Sequence, residues 1–133
     1  MAYQNLIGES EGVFSEKDSL IILNVADAKV GGVTLEVPEN YPDKYINAGH
    51  LVIYDAENKV FQPMPVVSAT KKYGPLPEGF EYYGFTLQSE LTRRPHFGVM
   101  LAGKINYKAC TYSCEDILSN LKAAFPNIIF HKD

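Results

Sequence analysis

The feature that most constrains the fold is an apolar run in the last third of the chain. Residues 99–105 read Val-Met-Leu-Ala-Gly-Lys-Ile, and the first four are all apolar. A strand with one solvent-facing side alternates apolar and polar residues, so this run predicts a strand buried on both faces. Gly98 and Gly103 bracket its apolar centre, and glycine in a strand often marks a bend or a close backbone approach. We expect the segments before and after this strand to lie beside it in a sheet.

Much of the remaining chain predicts further strands, because short runs of β-branched and aromatic residues alternate with turn residues. Single strands are predicted at residues 20–25, 33–37, 82–87 and 128–131, and a hairpin at residues 50–61 with its turn at 55–58. Two proline-containing segments, residues 38–43 and 68–79, predict surface loops.

One helix is predicted near the C-terminus. Ser113 is a good N-cap residue, Asp116 follows at the third helical position, and Pro126 ends the helix. Apolar residues recur at helical spacing and predict one buried face: Ile117, Leu118, Leu121, Ala124 and Phe125. The predicted fold class is mostly β (α+β): a compact β-sandwich-like or barrel-like domain over residues 19–133, with one helix.

Residues 1–18 predict a flexible N-terminal arm, because they are polar, contain two glycines and carry only scattered apolar side chains. Those apolar residues are Tyr3, Leu6, Ile7, Val13 and Phe14. One interpretation is a frayed terminus. The other is a segment that becomes ordered when it contacts a partner, and the five apolar residues are then the expected contact positions.

Charge and hydropathy exclude several classes of partner. The formal net charge is −4 and no cluster of Lys or Arg exceeds two residues, whereas nucleic-acid binding needs a basic patch. The first residues lack the basic and apolar regions of a signal peptide. The aliphatic run at residues 20–23 is far too short to span a bilayer. We therefore expect a soluble protein made in a cytoplasm, without nucleic-acid or membrane partners.

Catalytic and metal-binding motifs are absent from the sequence. Cys110 and Cys114 form a C-x3-C pair, which supplies two ligands where a metal site usually needs four. His96 and His131 are the candidates to complete such a site, but their spacing does not require it. We expect two reduced thiols, no metal and no cofactor, and no enzymatic activity.

Two surface features have a structural and a functional interpretation. Arg93 and Arg94 form the paired cations of a predicted loop, which is either simply solvated or part of a subunit interface, where arginine is enriched. Tyr82 and Tyr83, with Tyr73 and Phe80 nearby, either cover a sheet face or form a sugar-stacking platform.

The order of short motifs resembles a known family. The motifs are Gly31-Gly32-Val33-Thr34-Leu35, Asn47-Ala48-Gly49-His50-Leu51-Val52-Ile53, Phe61-Gln62-Pro63-Met64-Pro65, Leu76-Pro77-Glu78-Gly79, Tyr83-Gly84-Phe85-Thr86-Leu87, Pro95-His96-Phe97-Gly98-Val99-Met100 and Gly103-Lys104-Ile105-Asn106-Tyr107-Lys108-Ala109. Over most of residues 31–131 this order resembles the phage head fibre and head decoration proteins, including the small trimeric capsid-stabilising proteins of tailed phages. Lys104 and Tyr107 depart from the family, in which acidic residues are common at these positions.

The resemblance implies a non-enzymatic phage or prophage virion protein that decorates and stabilises the capsid as a homotrimer. Its expected partners are other copies of itself and the major capsid protein, which the N-terminal arm would contact. The expected locations are the host cytoplasm during assembly and then the virion surface. Two alternatives stay open: a carbohydrate-binding β-module that uses the Tyr/Phe loops, and a small hydrolase that uses His96 or a cysteine.

Overall fold

The computed structural model describes residues 18–131 of the chain and shows a mostly β protein with one helix near the C-terminus. The strands are β1 Ile22–Ala28, β2 Val33–Thr34, β3 Tyr45–Ile46, β4 Leu51–Asp55, β5 Val60–Pro63, β6 Val66–Val67, β7 Lys72–Tyr73, β8 Glu81–Thr86, β9 Glu90–Leu91, β10 His96–Phe97, β11 Val99–Asn106 and β12 Ile128–His131. The helices are α1 Asp18–Ile21, a single turn, and α2 Leu118–Ala124, which a 3₁₀ turn at Glu115–Ile117 precedes. The predicted fold class is confirmed, and the sheets are open rather than closed into a barrel.

The central sheet has six strands and is built around β11. Its order is β1-β11-β8-β4-β5, and β12 also pairs with β11. β1 pairs antiparallel with β11 from Ile105 to Met100. β8 pairs antiparallel with the first residues of β11, and β12 pairs parallel with residues 103–106. The expectation that segments before and after this strand lie beside it is confirmed, because β8 precedes it and β12 follows it.

Both faces of the sheet are covered, and the alternation of side chains decides which core each residue enters. In β4, Leu51 and Ile53 belong to one apolar core, while Val52 between them belongs to the other. In β11, Met100 enters the first core and Val99 the second, and neither side chain is exposed to solvent. The prediction that this strand is buried on both faces is therefore confirmed.

Different parts of the chain cover the two faces. Leu121, Phe125 and Ile128, from α2 and the segment after it, pack in the first core. Val33, Ile46 and Phe97 pack in the second core, where short ribbons pair β2 with β10 and β3 with β9. The sheet is thus sandwiched between a helical layer and a layer of short ribbons.

The start of the C-terminal helix differs from the prediction. Cys114, not Ser113, is the residue before the 3₁₀ turn, and its side chain makes no capping hydrogen bond. Ser113 is held in an extended bridge to Lys72, and its N–H donates to the carbonyl of Lys71 at 2.8 Å. The hydroxyl of Ser113 therefore accepts only a long bond of 3.4 Å from the N–H of Glu115.

The predicted apolar face of that helix is only partly buried. Leu121 and Phe125 are buried, and Ile117 and Leu118 pack against the first core at its edge. Ala124 is exposed, so its assignment to the core is wrong. The switch from a 3₁₀ turn to an α-helix changes the angular spacing between residues, which is why one helical wheel does not describe the whole segment.

Gly103 marks a close approach of the β1 and β11 backbones. Its φ is +148°, and a Cβ built there would collide with the backbone oxygen of Asn24 in β1. This confirms the close backbone approach predicted from glycine in this strand.

Candidate functional site

Strand β1 is the part of the central sheet that neither covering layer reaches. Five consecutive residues of β1, Leu23 to Asp27, are exposed, although the strand lies at full length against β11. Leu23 is 45% exposed and Val25 is 44% exposed, and Leu20 in the preceding helical turn is 59% exposed. We call Leu20, Leu23 and Val25 the β1 surface.

The outer edge of β1 pairs with no other strand within residues 18–131. Edge strands usually carry lysine or proline, which discourage pairing with another chain. β1 contains neither and has Asp27 as its one charged residue. Its pairing with β11 has three register shifts, which make the strand irregular and disfavour a long ladder on its outer edge. Apolar packing on the β1 surface is therefore the contact that this strand supports best.

The predicted interface residues Arg93 and Arg94 lie in the turn between β9 and β10, where both are exposed. The N–H of Arg94 donates to the carbonyl of Leu91 at 2.9 Å, which closes the turn. Two residues later, Nε2 of His96 donates to the carbonyl of Gly31 at 2.9 Å. Gly31 follows Val30, which is 89% exposed in the loop after β1, so the arginine turn lies at that end of β1.

The predicted capsid-contact residues Tyr3, Leu6, Ile7, Val13 and Phe14 lie outside the described residues. The chain enters the described part at Asp18, in the turn that leads into β1. The first described residues therefore lie next to the β1 surface.

The least expected arrangement is a buried histidine among three tyrosines. The ring of His50 makes edge-on contacts with Tyr41, Tyr73 and Tyr112, with ring centroids 6.0, 5.3 and 5.8 Å away. Nε2 of His50 lies 3.1 Å from the carbonyl of Met64, so this nitrogen carries the proton and donates it. We call Tyr41, Tyr73 and Tyr112 around His50 the tyrosine cage.

The environment of His50 favours its neutral form. Burial lowers its pKa from 6.5 to about 4, and the bond to Met64 and the nearby Asp43 carboxylate only partly oppose this effect. Burial also raises the pKa of Tyr73 well above its ordinary value, and its hydroxyl accepts a bond of 3.0 Å from the N–H of Leu51. At neutral pH the cage therefore holds an uncharged imidazole and protonated phenols.

Sequence reasoning did not find this cage. Its four rings come from segments up to 71 positions apart, and no single motif contains more than one of them. The one local signal was Gly49, which has a φ of +81° and turns the chain into His50 and β4.

The two cysteines are free thiols, as expected. Burial raises the pKa of the Cys110 thiol to about 12 and that of Cys114 to about 11. Since the thiolate is the nucleophile and the metal ligand, both groups are in their unreactive form at neutral pH. Within residues 18–131, no group of three or more His, Cys, Asp or Glu side chains is arranged to hold a metal ion.

His96 stands at the surface with both ring nitrogens engaged. Because Nε2 donates to Gly31, Nδ1 accepts the bond of 2.9 Å from the hydroxyl of Thr34. The bonds hold β10 against β2 and the preceding turn, so the ring serves to join these segments.

The four aromatic residues considered as a sugar platform do not share a surface. Tyr82 contacts Phe125 on the side of the first core, whereas Tyr83 contacts Tyr54 and Phe61 on the opposite face. Tyr73 belongs to the tyrosine cage, and Phe80 packs at the edge of the first core. The arrangement does not offer these residues together to a sugar ring.

The helices of the described residues are all too short or too polar to cross a lipid bilayer. Comparison with family models, with curated proteins and with solved structures gives no match to this chain.

Proposed function

We propose that the chain is a non-enzymatic phage or prophage virion protein that decorates and stabilises the capsid as a homotrimer. The observation that carries the proposal is strand β1, which is paired along its inner edge and exposes Leu23 and Val25, with no other part of residues 18–131 covering them. A monomeric domain gains nothing from leaving Leu23 and Val25 in water, whereas burial in an interface stabilises an assembly. The motif order described for residues 31–131 supports the same function.

The β1 surface is the proposed contact between subunits. In a closed ring, the same patch on every subunit packs on a different patch of its neighbour, and three copies leave no β1 surface free. Arg93 and Arg94 are proposed to extend this interface, because their turn lies at the end of β1 that carries Val30. Arginine forms bidentate bonds with carboxylates, which suits the polar rim of an apolar interface.

Residues 1–17 are the proposed contact with the major capsid protein, through Tyr3, Leu6, Ile7, Val13 and Phe14. They precede the turn at Asp18–Ile21, which leads into the strand of the proposed trimer interface, and their contact with the capsid would hold the trimer there. Ordering such a segment costs about 1–2 kcal/mol per residue in backbone entropy, which the capsid surface must offset. The proposed locations are the host cytoplasm during assembly and the virion surface afterwards.

Co-sedimentation with capsids tests the proposal. The probe is the capsid assembled from the major capsid protein of the phage or prophage that encodes the chain. We expect the full chain to saturate these capsids and to raise their resistance to heat. Deletion of residues 1–13 should abolish co-sedimentation and leave the melting temperature and the solution mass of the free protein unchanged.

Two results would contradict parts of the proposal. If the full chain fails to bind capsids, the decoration function is wrong. If the truncated protein still coats capsids at full occupancy, the function stands but the N-terminal segment is not the anchor.

A further inference from the structure

A small cavity beside the tyrosine cage is lined by Tyr41, whose hydroxyl has no hydrogen-bond partner among residues 18–131. Polar residues that line the cavity are Tyr41, Asp43, Asn47, His50, Thr111 and Tyr112. This hydroxyl is itself buried, although Tyr41 as a whole is only partly buried. A buried hydroxyl without a partner is costly in free energy, so such a group needs an explanation.

Several other polar groups around the cavity have partners that hold its walls in place. The hydroxyl of Tyr112 donates to the carboxylate of Asp43, and the side-chain amide of Asn47 donates to the hydroxyl of Thr111 at 2.7 Å. His50 is fixed by its bond to Met64, so its ring does not turn towards Tyr41 to supply a partner. These walls join the segment before β4 to the segment after β11.

The cavity has the size and the polarity that one water molecule needs. The space open to the centre of a water-sized sphere is about 10 Å³. About 10–15 Å³ of such space is the minimum for one water, which also needs two to four polar partners. A carboxylate of Asp43 accepts up to four hydrogen bonds and uses one for Tyr112, so it can accept another.

The protonation states fix the direction of the hydrogen bonds. Burial, together with the neighbouring Tyr112 and Asp43, raises the pKa of the Tyr41 phenol, so the hydroxyl keeps its proton and can donate it. A guest that accepts from Tyr41 and donates to Asp43 satisfies both groups. Water does this with one oxygen and two hydrogens, and its second hydrogen remains for another lining group.

We propose that this cavity binds one structural water molecule, which accepts a hydrogen bond from Tyr41 and donates one to Asp43. Both partners lie in the loop before β3, and the bond from Tyr112 to Asp43 connects this loop to the segment after β11. The inference concerns the interior of the domain and does not depend on the proposed capsid function.

Removing the Tyr41 hydroxyl distinguishes a bound water from a dry cavity. With a bound water, Tyr41→Phe removes one partner of that water and should lower the Tm by roughly 3–6 °C. In a dry cavity the same change removes an unpaired polar group, and the Tm should rise. Tyr45→Phe is the matched control, since Tyr45 lines the same cavity but is 41% exposed, and its Tm should not change.

A crystal structure at about 1.5 Å resolution provides the second measurement. It should show one density peak within hydrogen-bonding distance of the Tyr41 hydroxyl and the Asp43 carboxylate, and the peak should weaken or move in Tyr41→Phe. An unchanged or higher Tm for Tyr41→Phe, together with no peak in the wild-type protein, would overturn the proposal.

Salt dependence separates water from a cation of similar size. For a bound water, melting in sodium, potassium and ammonium chloride at equal ionic strength should give the same Tm. A rise in Tm with the concentration of only ammonium or only potassium would show a cation site and would also overturn the proposal.

Discussion

Acidification should weaken the fold through His50. The pKa of this ring is lowered from 6.5 to about 4 by burial in the tyrosine cage. The unfolded chain therefore takes up a proton in the range where the folded protein does not. The contribution of neutral His50 to the free energy of unfolding is fully present above about pH 6.5. It falls as the pH decreases from there and is lost below about pH 4.

The size of the effect follows from the two pKa values. One pKa unit corresponds to about 1.4 kcal/mol, so the fall from 6.5 to about 4 favours the neutral ring by about 3 kcal/mol. From the same two values, the folded state should lose about 2 kcal/mol of stability between pH 7 and pH 5 through this group alone. That is a large share of the roughly 5–15 kcal/mol that usually separates the folded and unfolded states of a protein.

Urea unfolding between pH 7 and pH 5 measures this loss, and His50→Gln isolates it. Glutamine keeps a side-chain N–H that can donate towards the carbonyl of Met64, but it does not titrate. The variant should be less stable at pH 7, because it loses the ring contacts with the three tyrosines, and its stability should depend less on pH. Leu121→Ala is the control, since it destabilises the core without changing a titratable side chain, and it should keep the wild-type pH dependence.

The reasoning fails if wild type and His50→Gln lose the same free energy between pH 7 and pH 5. It also fails if an NMR titration of the folded protein shows His50 taking up its proton near pH 6.5. Carboxylates contribute a background slope in this range, which is why the difference between the two proteins, and not either slope alone, is the test.

Two further pairs of substitutions test the packing of the domain. Gly103→Ala should destabilise the fold severely and loosen β1, because the new Cβ meets the carbonyl oxygen of Asn24. Gly79→Ala should cost only about 1 kcal/mol of backbone strain, because Gly79 has a φ of +87° and open space around it. Urea unfolding of both variants checks this, and equal losses would contradict the close approach of β1 and β11. Leu121→Ala should lower the free energy of unfolding by about 2–5 kcal/mol, because the leucine side chain is fully buried. Ser113→Ala should lower it by less than about 1 kcal/mol, because the serine hydroxyl makes only the 3.4 Å bond. A mild Leu121→Ala would show that α2 is not part of the core.

The parts of the fold that the sequence predicted are those with a strong local pattern. The apolar run at the start of β11 has no polar face that could be exposed to solvent. The hairpin of β4 and β5 turns after Asp55, whose carboxylate accepts a hydrogen bond from the side-chain amide of Asn58. These patterns depend on neighbouring residues alone. The predicted strand at residues 33–37 shows the limit, because only Val33–Thr34 form β2 before Leu35 and Glu36 turn to different partners, Pro95 and Phe61.

The parts that the sequence did not predict depend on tertiary packing. Leu23 and Val25 of β1 are residue types typical of a buried strand, and nothing in their order indicates that both covering layers stop before reaching them. The tyrosine cage is similar, because His50 gains its environment from Tyr73 and Tyr112, which lie in other loops. Exposure and burial at these positions are properties of the assembled layers.

The mass of the protein in solution tests the central claim most directly, when wild type is measured beside two lysine variants by light scattering at micromolar concentration. We predict a wild-type mass of three times the 14.8 kDa chain and a monomer for Val25→Lys, because the lysine places a charge in the proposed interface. Ile129→Lys is the control, because Ile129 is 54% exposed but lies on the opposite face of the sheet from Val25. Ile129 pairs with Lys104, and Lys104 pairs with Asn24, so these three side chains share one face. Val25 follows Asn24 and therefore points to the other face. Ile129→Lys should leave the trimer intact. A monomeric wild-type protein, or a Val25→Lys variant with the same mass as wild type, would contradict the account.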